Sequence, residues 1–317
     1  MMTDADHRGL AGLGGLTFGT SDLGRGTRPG SVEDDAAIET ALAMLRSDAY
    51  VDTSNMYAGG RSEEVLGAAL AELARAERAS AADRIITKVD RDASSGALDA
   101  DQVRRSLEQS LTRLGLDRVR WLHLHDPYVI PFAEAHSPGG VIDEMVRIRD
   151  EGTADAIGIA TGRTPIVEQY IGTGAFDMVL SHNRFTLVDR SASTAFEKAR
   201  RRGMTTFNAA PFGGNLLAKG SVEGSAYAYL SVSERLRAWT ADVERLCAEC
   251  GIPLAAAALQ FSLRSDLVDS TVVSASAPAR IGQLCELAQT PVPDGFWPAL
   301  AALPAAPTPI DDTEEAR

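Results

Sequence analysis

The chain has 317 residues, about twice a typical single-domain length. Apolar residues make up 44% and charged residues 24%, ordinary globular values that exclude disordered and fibrous classes. The formal charge of −13 argues against nucleic acid or an anionic membrane as the main partner, because both require a positive face.

The first six residues, Met1-Met2-Thr3-Asp4-Ala5-Asp6, are acidic and lack an apolar core. They are not read as a signal peptide, and residues 1–15 are expected to form an N-terminal extension. Short β-rich runs then alternate with helical stretches. The candidate strands are 16–20, 49–53, 84–89, 119–125, 154–160, 178–182, 205–210 and 271–275. Most are unbroken apolar runs, as parallel strands covered on both faces require. Between them, 62–75 places Val65, Leu66, Ala69, Leu70 and Leu73 on one helical face, with Ser62 as the expected N-cap. Residues 101–114 repeat the pattern with Val103, Leu107, Leu111 and Leu114, and 142–149 is followed by Gly152, a helix stop. Eight strands with helices between them, at about 40 residues per unit, predict an α/β protein built as a single (β/α)8 TIM barrel over 1–317. An open doubly wound sheet would want a phosphate loop after its first strand, and the glycine-rich stretch 9–30 contains no GxGxxG leading into a helix.

Two regions depart from the repeat. Residues 213–232 form a Gly/Ser/Ala-rich insertion after the seventh strand, where loops line a barrel mouth. The tail 303–317, Pro-rich and then acidic, is expected to be disordered. No run approaches the roughly 18 apolar residues of a membrane span, so a cytoplasmic protein is expected. Cys247 and Cys250 are a lone CxxC pair with no second pair or nearby histidine, so they read as small helix residues and no metal is expected.

Strand C-terminal ends carry the active site of such a barrel. The second strand runs into Asp52-Thr53-Ser54-Asn55-Met56-Tyr57, the third into Thr87-Lys88, and the fourth into His123-Leu124-His125-Asp126-Pro127. A carboxylate, a phenol, an ammonium and an imidazole would converge at one mouth, a set suited to carbonyl reduction. Hydride addition leaves an alkoxide that needs a proton, and a free tyrosine with a pKa near 10 is a poor acid at neutral pH. An ammonium beside it is expected to lower that pKa, with a carboxylate holding the ammonium charged. Of 31 basic residues only Lys88, Lys198 and Lys219 are lysine, so each raises the question of whether a compact ammonium rather than a guanidinium is needed there. His123 and His125 lie on one face of a strand, so register alone does not choose between them.

At these residues the sequence resembles the aldo-keto reductase superfamily. The run from Asp52 through Tyr57 to Arg61-Ser62-Glu63 is similar to its D-T-A-x-x-Y-G-x-G-x-S-E signature, Thr87-Lys88 to its T-K strand end, and His125-Asp126-Pro127 to its H-x-P element. The resemblance spans roughly residues 9–300. It implies Asp52, Tyr57, Lys88 and His125 as the catalytic tetrad, with Tyr57 as general acid/base. His125-Asp126-Pro127 and the run 183–189 are most similar to the branch of fucose and threo-aldose 1-dehydrogenases.

A nicotinamide cofactor is implied, NADP with NAD possible, contacting Gly19, Thr20, Asp52, Thr161, His182, Phe185, Ala210, Phe212, Gly213, Ser274 and Arg280. Arg280 would grip the 2′-phosphate or stack on adenine, and Phe185 would stack on the nicotinamide. Ser274 stands where the family has lysine, Leu284 where it has asparagine, and Ala160-Thr161 where it has Ser-Asn. The partner implied is a small-molecule carbonyl, alcohol or sugar. The other readings are a barrel acting as a binding or regulatory subunit, and a dinucleotide-retaining epimerase or lyase.

Overall fold

A computed structural model of the chain describes residues 15–312. Eight parallel strands close into a barrel: β1 (Leu16–Gly19), β2 (Tyr50–Asp52), β3 (Ile85–Val89), β4 (Val119–His125), β5 (Ala154–Ala160), β6 (Met178–His182), β7 (Thr205–Ala209) and β10 (Ser270–Ser274). Pairing runs β1-β10-β7-β6-β5-β4-β3-β2, and β1 pairs with β2 to complete the ring. A small hairpin, β8 (Ala226–Tyr227) with β9 (Leu230–Ser231), sits in the insertion after β7. One or more helices follow each barrel strand, as the sequence pattern predicts.

The strands divide their side chains by the period of two. Tyr50, Ile86, Trp121, Ala156, Met178, Phe207 and Val272 pack together inside the barrel. Their neighbours Val51, Ile85, Leu122, Ile157 and Val179 face outward and pack under the helices. Two residues further along, the inward series changes character: Tyr50 gives way to Asp52, Ile86 to Lys88, Trp121 to His123 and then His125. The barrel is therefore apolar below and charged at its C-terminal mouth. Gly158 makes room for this transition, because a Cβ there would come within 2.5 Å of His123 Nδ1.

Element ends differ from the sequence expectation by a residue or two, except at one helix. Asp99 caps helix Ala100–Leu114 by accepting from Gln102 N at 2.7 Å, and Gly115 ends it at φ 64. The predicted helix 62–75 instead starts at Arg61 and stops at Glu72, and a second helix covers Arg75–Ala82. Its N-cap is Gly60 rather than Ser62.

The predicted disorder of the tail does not hold over residues 303–312; residues 313–317, like 1–14, lie outside the described part. Polar contacts at three residues, Pro304, Thr308 and Asp312, hold this stretch to the barrel. Trp239 Nε1 donates to Pro304 O at 2.9 Å and Thr308 Oγ1 to Asp189 Oδ2 at 2.5 Å. The Asp312 carboxylate accepts from Arg184 Nη2 at 2.6 Å and from Thr164 N and Oγ1 at 3.0 and 3.1 Å. Leu303, Ala306 and Ile310 also pack against the core, an apolar contact that the Pro-rich composition did not signal. Among the described residues no single helix is long and apolar enough to cross a membrane.

Candidate active site

The structure brings Asp52, Tyr57, Lys88 and His125 to one place at the mouth. Lys88 Nζ lies 2.7 Å from both Asp52 carboxylate oxygens, 2.6 Å from Thr53 O and 3.2 Å from the Tyr57 hydroxyl. Its side chain is only 1% exposed. Burial alone would depress the Lys88 pKa, but the Asp52 carboxylate and the Tyr57 oxygen outweigh it, and the shift is upward. The ammonium therefore stays charged.

Tyr57 corrects the sequence expectation. Lys88 does pull its pKa down, but burial dominates and the Asp52 charge cancels part of the ammonium's field, so the net shift is upward. The side chain is a protonated phenol at neutral pH. His125 meets the Tyr57 ring edge-on, with centroids 6.0 Å apart. His123 is separated from it by depth: it is wholly buried one layer down, edge-on to Phe207, and burial drives its pKa well below the ordinary imidazole value.

The signature residues around the tetrad act as braces. Ser62 Oγ donates to Thr20 O at 2.8 Å and bonds Thr20 Oγ1 at 2.7 Å, tying the first turn of its helix to the end of β1. Glu63 is buried, accepts from Thr87 Oγ1 at 2.6 Å and pairs with Arg113 at 3.2 Å, while Arg113 also donates to Asn55 O. The loop carrying Tyr57 and the strand carrying Lys88 are thus held by one buried polar network.

The sequence reading missed a further buried carboxylate at the site, Asp90, just past the end of β3. Its Oδ1 lies 2.6 Å from His125 Nδ1, and its Oδ2 accepts from Ser54 Oγ at 2.5 Å. The signal was present: Asp90 stands two residues beyond Lys88, so the strand's period directs both to one side.

A cleft of about 730 Å³ opens above the tetrad. Gly19, Thr161, His182, Ala210, Phe212, Ser274 and Arg280 line it together with Asp52, Tyr57, Lys88 and His125. Burial pulls the His182 pKa down to about 4, so its imidazole is neutral. Arg280 Nη1 contacts Gln283 Oε1 at 3.3 Å, and its guanidinium lies 5.8 Å from the Phe212 ring centre. Thr20 and Gly213 do not line the cleft. Thr20 is buried behind it, donating to Asp52 O at 3.0 Å, and Gly213 turns at φ 57 with the Tyr227 ring where a Cβ would stand.

Phe185 is the clear misplacement. It lies in the outer core against Phe196 and Phe261, with ring centres 5.7 and 5.1 Å away, and so does not reach the cleft. The chain leaves β6 through Asn183 at φ 61; after that left-handed turn Arg184 still reaches the cleft, while Phe185 lies on the outer side. Asp126, Arg163, Arg184 and Asn215, none of them foreseen as cleft residues, complete its polar rim.

A closed parallel barrel whose strand ends present a buried Asp–Lys–Tyr set beside a histidine is a (β/α)8 barrel with a candidate acid/base site at its mouth. Residues 15–304 match the Aldo/keto reductase family, and the chain belongs to that family. It is 31% identical to a D-threo-aldose 1-dehydrogenase from Pseudomonas sp, covering 95% of this chain and 97% of that one. It is 27% identical to a pyridoxal 4-dehydrogenase from Microbacterium luteolum, covering 95% and 98%. In fold it is similar to a glycerol dehydrogenase from Gluconobacter oxydans, with a TM-score of 0.71 at 18% identity and 93% of each chain covered.

Proposed function

We propose that this chain is a nicotinamide-dependent oxidoreductase that interconverts a small carbonyl compound with its alcohol, or a sugar lactol with its lactone. The observation that carries the reading is the Tyr57 hydroxyl, 3.2 Å from a fully buried ammonium, on the floor of the cleft beside His125.

The residues fit a nicotinamide dinucleotide. Thr161 lines the cleft, and among the described residues its buried Oγ1 has no hydrogen-bond partner, which suits a carboxamide. His182 would add a neutral imidazole there, and Ser274, Arg280 and Phe212 would take the phosphates and adenine. The nicotinamide ring would supply or accept the hydride. In reduction, Tyr57 holds the proton needed by the developing alkoxide. Its raised pKa keeps that proton in place until the substrate oxygen becomes strongly basic. Lys88, locked by Asp52, faces the phenol oxygen and offsets the charge that proton loss leaves there.

The rim chemistry favours a polyhydroxylated substrate. Asp126 accepts while Arg163, Arg184 and Asn215 donate, a mixed set that hydroxyl groups can satisfy from both sides. The similarity to a threo-aldose dehydrogenase points the same way. For the cofactor, a 2′-phosphate carries nearly two charges and Arg280 is the cation at that end, so NADP is expected to be preferred modestly, by roughly ten- to a hundredfold.

The test is NAD(P)H turnover by purified protein over a panel of aldoses and simple aldehydes, in both directions and with both cofactors. Turnover on aldoses supports the reading. Absence of turnover across the whole panel, with dinucleotide binding intact, overturns it in favour of a binding role.

A further inference from the structure

The tetrad leaves Asp90 without a role, although its side chain is only 3% exposed and it is tightly constrained. Its backbone is pinned to helix Ala100–Leu114: its N–H donates to Ser106 Oγ at 2.9 Å and its carbonyl accepts from Gln102 Nε2 at 3.0 Å. Both carboxylate oxygens are engaged. Oδ2 accepts from Ser54 Oγ at 2.5 Å and from Met56 N at 3.2 Å, while Oδ1 faces His125 Nδ1 at 2.6 Å. An ionised carboxylate can only accept, so Nδ1 carries a hydrogen. That leaves Nε2 on the other side of the ring, 3.8 Å from Asp126 Oδ2 at the cleft wall.

We propose that Asp90 is a positioning residue for the reaction: it fixes the His125 ring with Nδ1–H turned away from the cleft, so that the Nε2 edge faces the substrate oxygen. This rests on the carbonyl–alcohol reading above. The chemistry requires such a partner. A neutral ring with its hydrogen on Nδ1 would present an Nε2 lone pair to an electron-rich carbonyl oxygen and repel it. Protonation at both nitrogens turns the same contact into a charge-assisted hydrogen bond.

The charges around His125 favour that state. Burial opposes the imidazolium, Asp90 outweighs burial, Asp126 adds to it and Lys88 acts against it; the net shift is upward. Asp90 is held reciprocally below the usual carboxylate range, against the effect of its own burial. The other groups near the ring contribute little net charge: Asp52 is paired with Lys88, Arg184 with Asp312, Tyr57 is a phenol, and His123 and His182 are neutral.

The variants Asp90→Asn and Asp90→Ala test this, the first keeping shape and most hydrogen bonds. Two readouts are needed. The first is the titration of the His125 ring nitrogens by NMR of protein labelled with nitrogen-15 histidine, assigned by the signal lost in His125→Asn. The wild-type ring should titrate above an ordinary imidazole, and the Asp90→Asn ring lower by about one pH unit or more. The second is the pH profile of aldehyde reduction. Because the charged ring is the active form, kcat should fall as pH rises through the His125 pKa, and both variants should move that limb to lower pH and reduce the plateau by about tenfold or more. An unchanged ring titration in folded Asp90→Asn overturns the proposal. So does a shifted titration with an unshifted kcat profile, which would make Asp90 a purely structural partner. If the wild type reduces nothing, the carbonyl–alcohol reading fails and the role of Asp90 in reaction fails with it, while the titration still decides whether Asp90 charges the ring.

Discussion

The floor of the cleft and its nucleotide side are built in opposite ways. On the floor every Lys88 contact is made within the protein, at 2.6–3.2 Å and 1% exposure. On the nucleotide side, among the described residues, Thr161 Oγ1 has no hydrogen-bond partner, Ser274 is exposed with a 3.3 Å side-chain contact to Ser21, and Arg280 has one 3.3 Å bond to Gln283. The floor is preorganised, so its polar groups do not reorient during reaction. Substitutions there should cost turnover and, where a charge is left unpaired, stability. Substitutions on the nucleotide side should cost binding and little else.

Tyr57→Phe is expected to break that contrast most severely if the assignment is wrong. Among the described residues Lys88 is the hydroxyl's one hydrogen-bond partner, so its removal should leave folding and dinucleotide affinity almost unchanged while lowering kcat by about 10²–10⁴-fold. Retention of more than about a tenth of kcat would take the proton-transfer role from Tyr57.

Lys88 separates stability from chemistry. Lys88→Met strands the Asp52 carboxylate in a buried site, a loss of about 3–5 kcal/mol for such pairs. Adding Asp52→Asn should recover much of that stability, read by thermal unfolding, without restoring turnover. Lys88→Arg should be nearly as inactive as Lys88→Met, down by about 10²-fold or more, because a planar guanidinium does not fit four oxygen contacts made by one nitrogen. An active arginine variant would show that only the charge matters at this position.

On the nucleotide side the expected effects are smaller. Arg280→Ala should remove most of the NADP preference, a change of about ten- to a hundredfold or 1.4–2.8 kcal/mol, while sparing NAD affinity. Titration of both cofactors against both proteins decides it. An equal loss for NAD and NADP would assign Arg280 to adenine stacking, consistent with its place over Phe212.

The same contrast explains what could be read from sequence. Floor residues are tied to strand ends, where the period of two and the spacing from Asp52 to Tyr57 bring Asp52, Tyr57 and Lys88 to one mouth, whereas His125 was separated from His123 only by the resemblance to the family motif. Phe185 was not legible, because its position depends on the left-handed turn at Asn183, which neither periodicity nor composition reports. Ser62 looked like a helix cap because serine at a helix start usually is one. Here Gly60 takes that place and Ser62 turns inward to Thr20. The direction of the Tyr57 shift was misjudged because burial, which dominates it, becomes visible only once the barrel has closed.

The smallest expected effect lies at the tail. Asp312 is anchored to Arg184 and to the start of helix Thr164–Thr173, with side-chain exposures of 9% and 12% for the pair. Burial would raise the carboxyl pKa, but the Arg184 and Thr164 hydrogen bonds dominate and it is held below its ordinary value. A depressed folded-state pKa stabilises the folded form above the ordinary carboxylate range, and that contribution disappears as pH falls through the folded value. Asp312→Asn should therefore lower stability at neutral pH by about 1 kcal/mol, roughly 1–2 °C in Tm for a chain this long. The difference from wild type should shrink on acidification, since the protonated wild-type carboxyl then resembles the amide. A deficit that persists undiminished in acid would mean that shape rather than charge holds the tail, and a deficit of zero at neutral pH would mean that the tail is not held there at all.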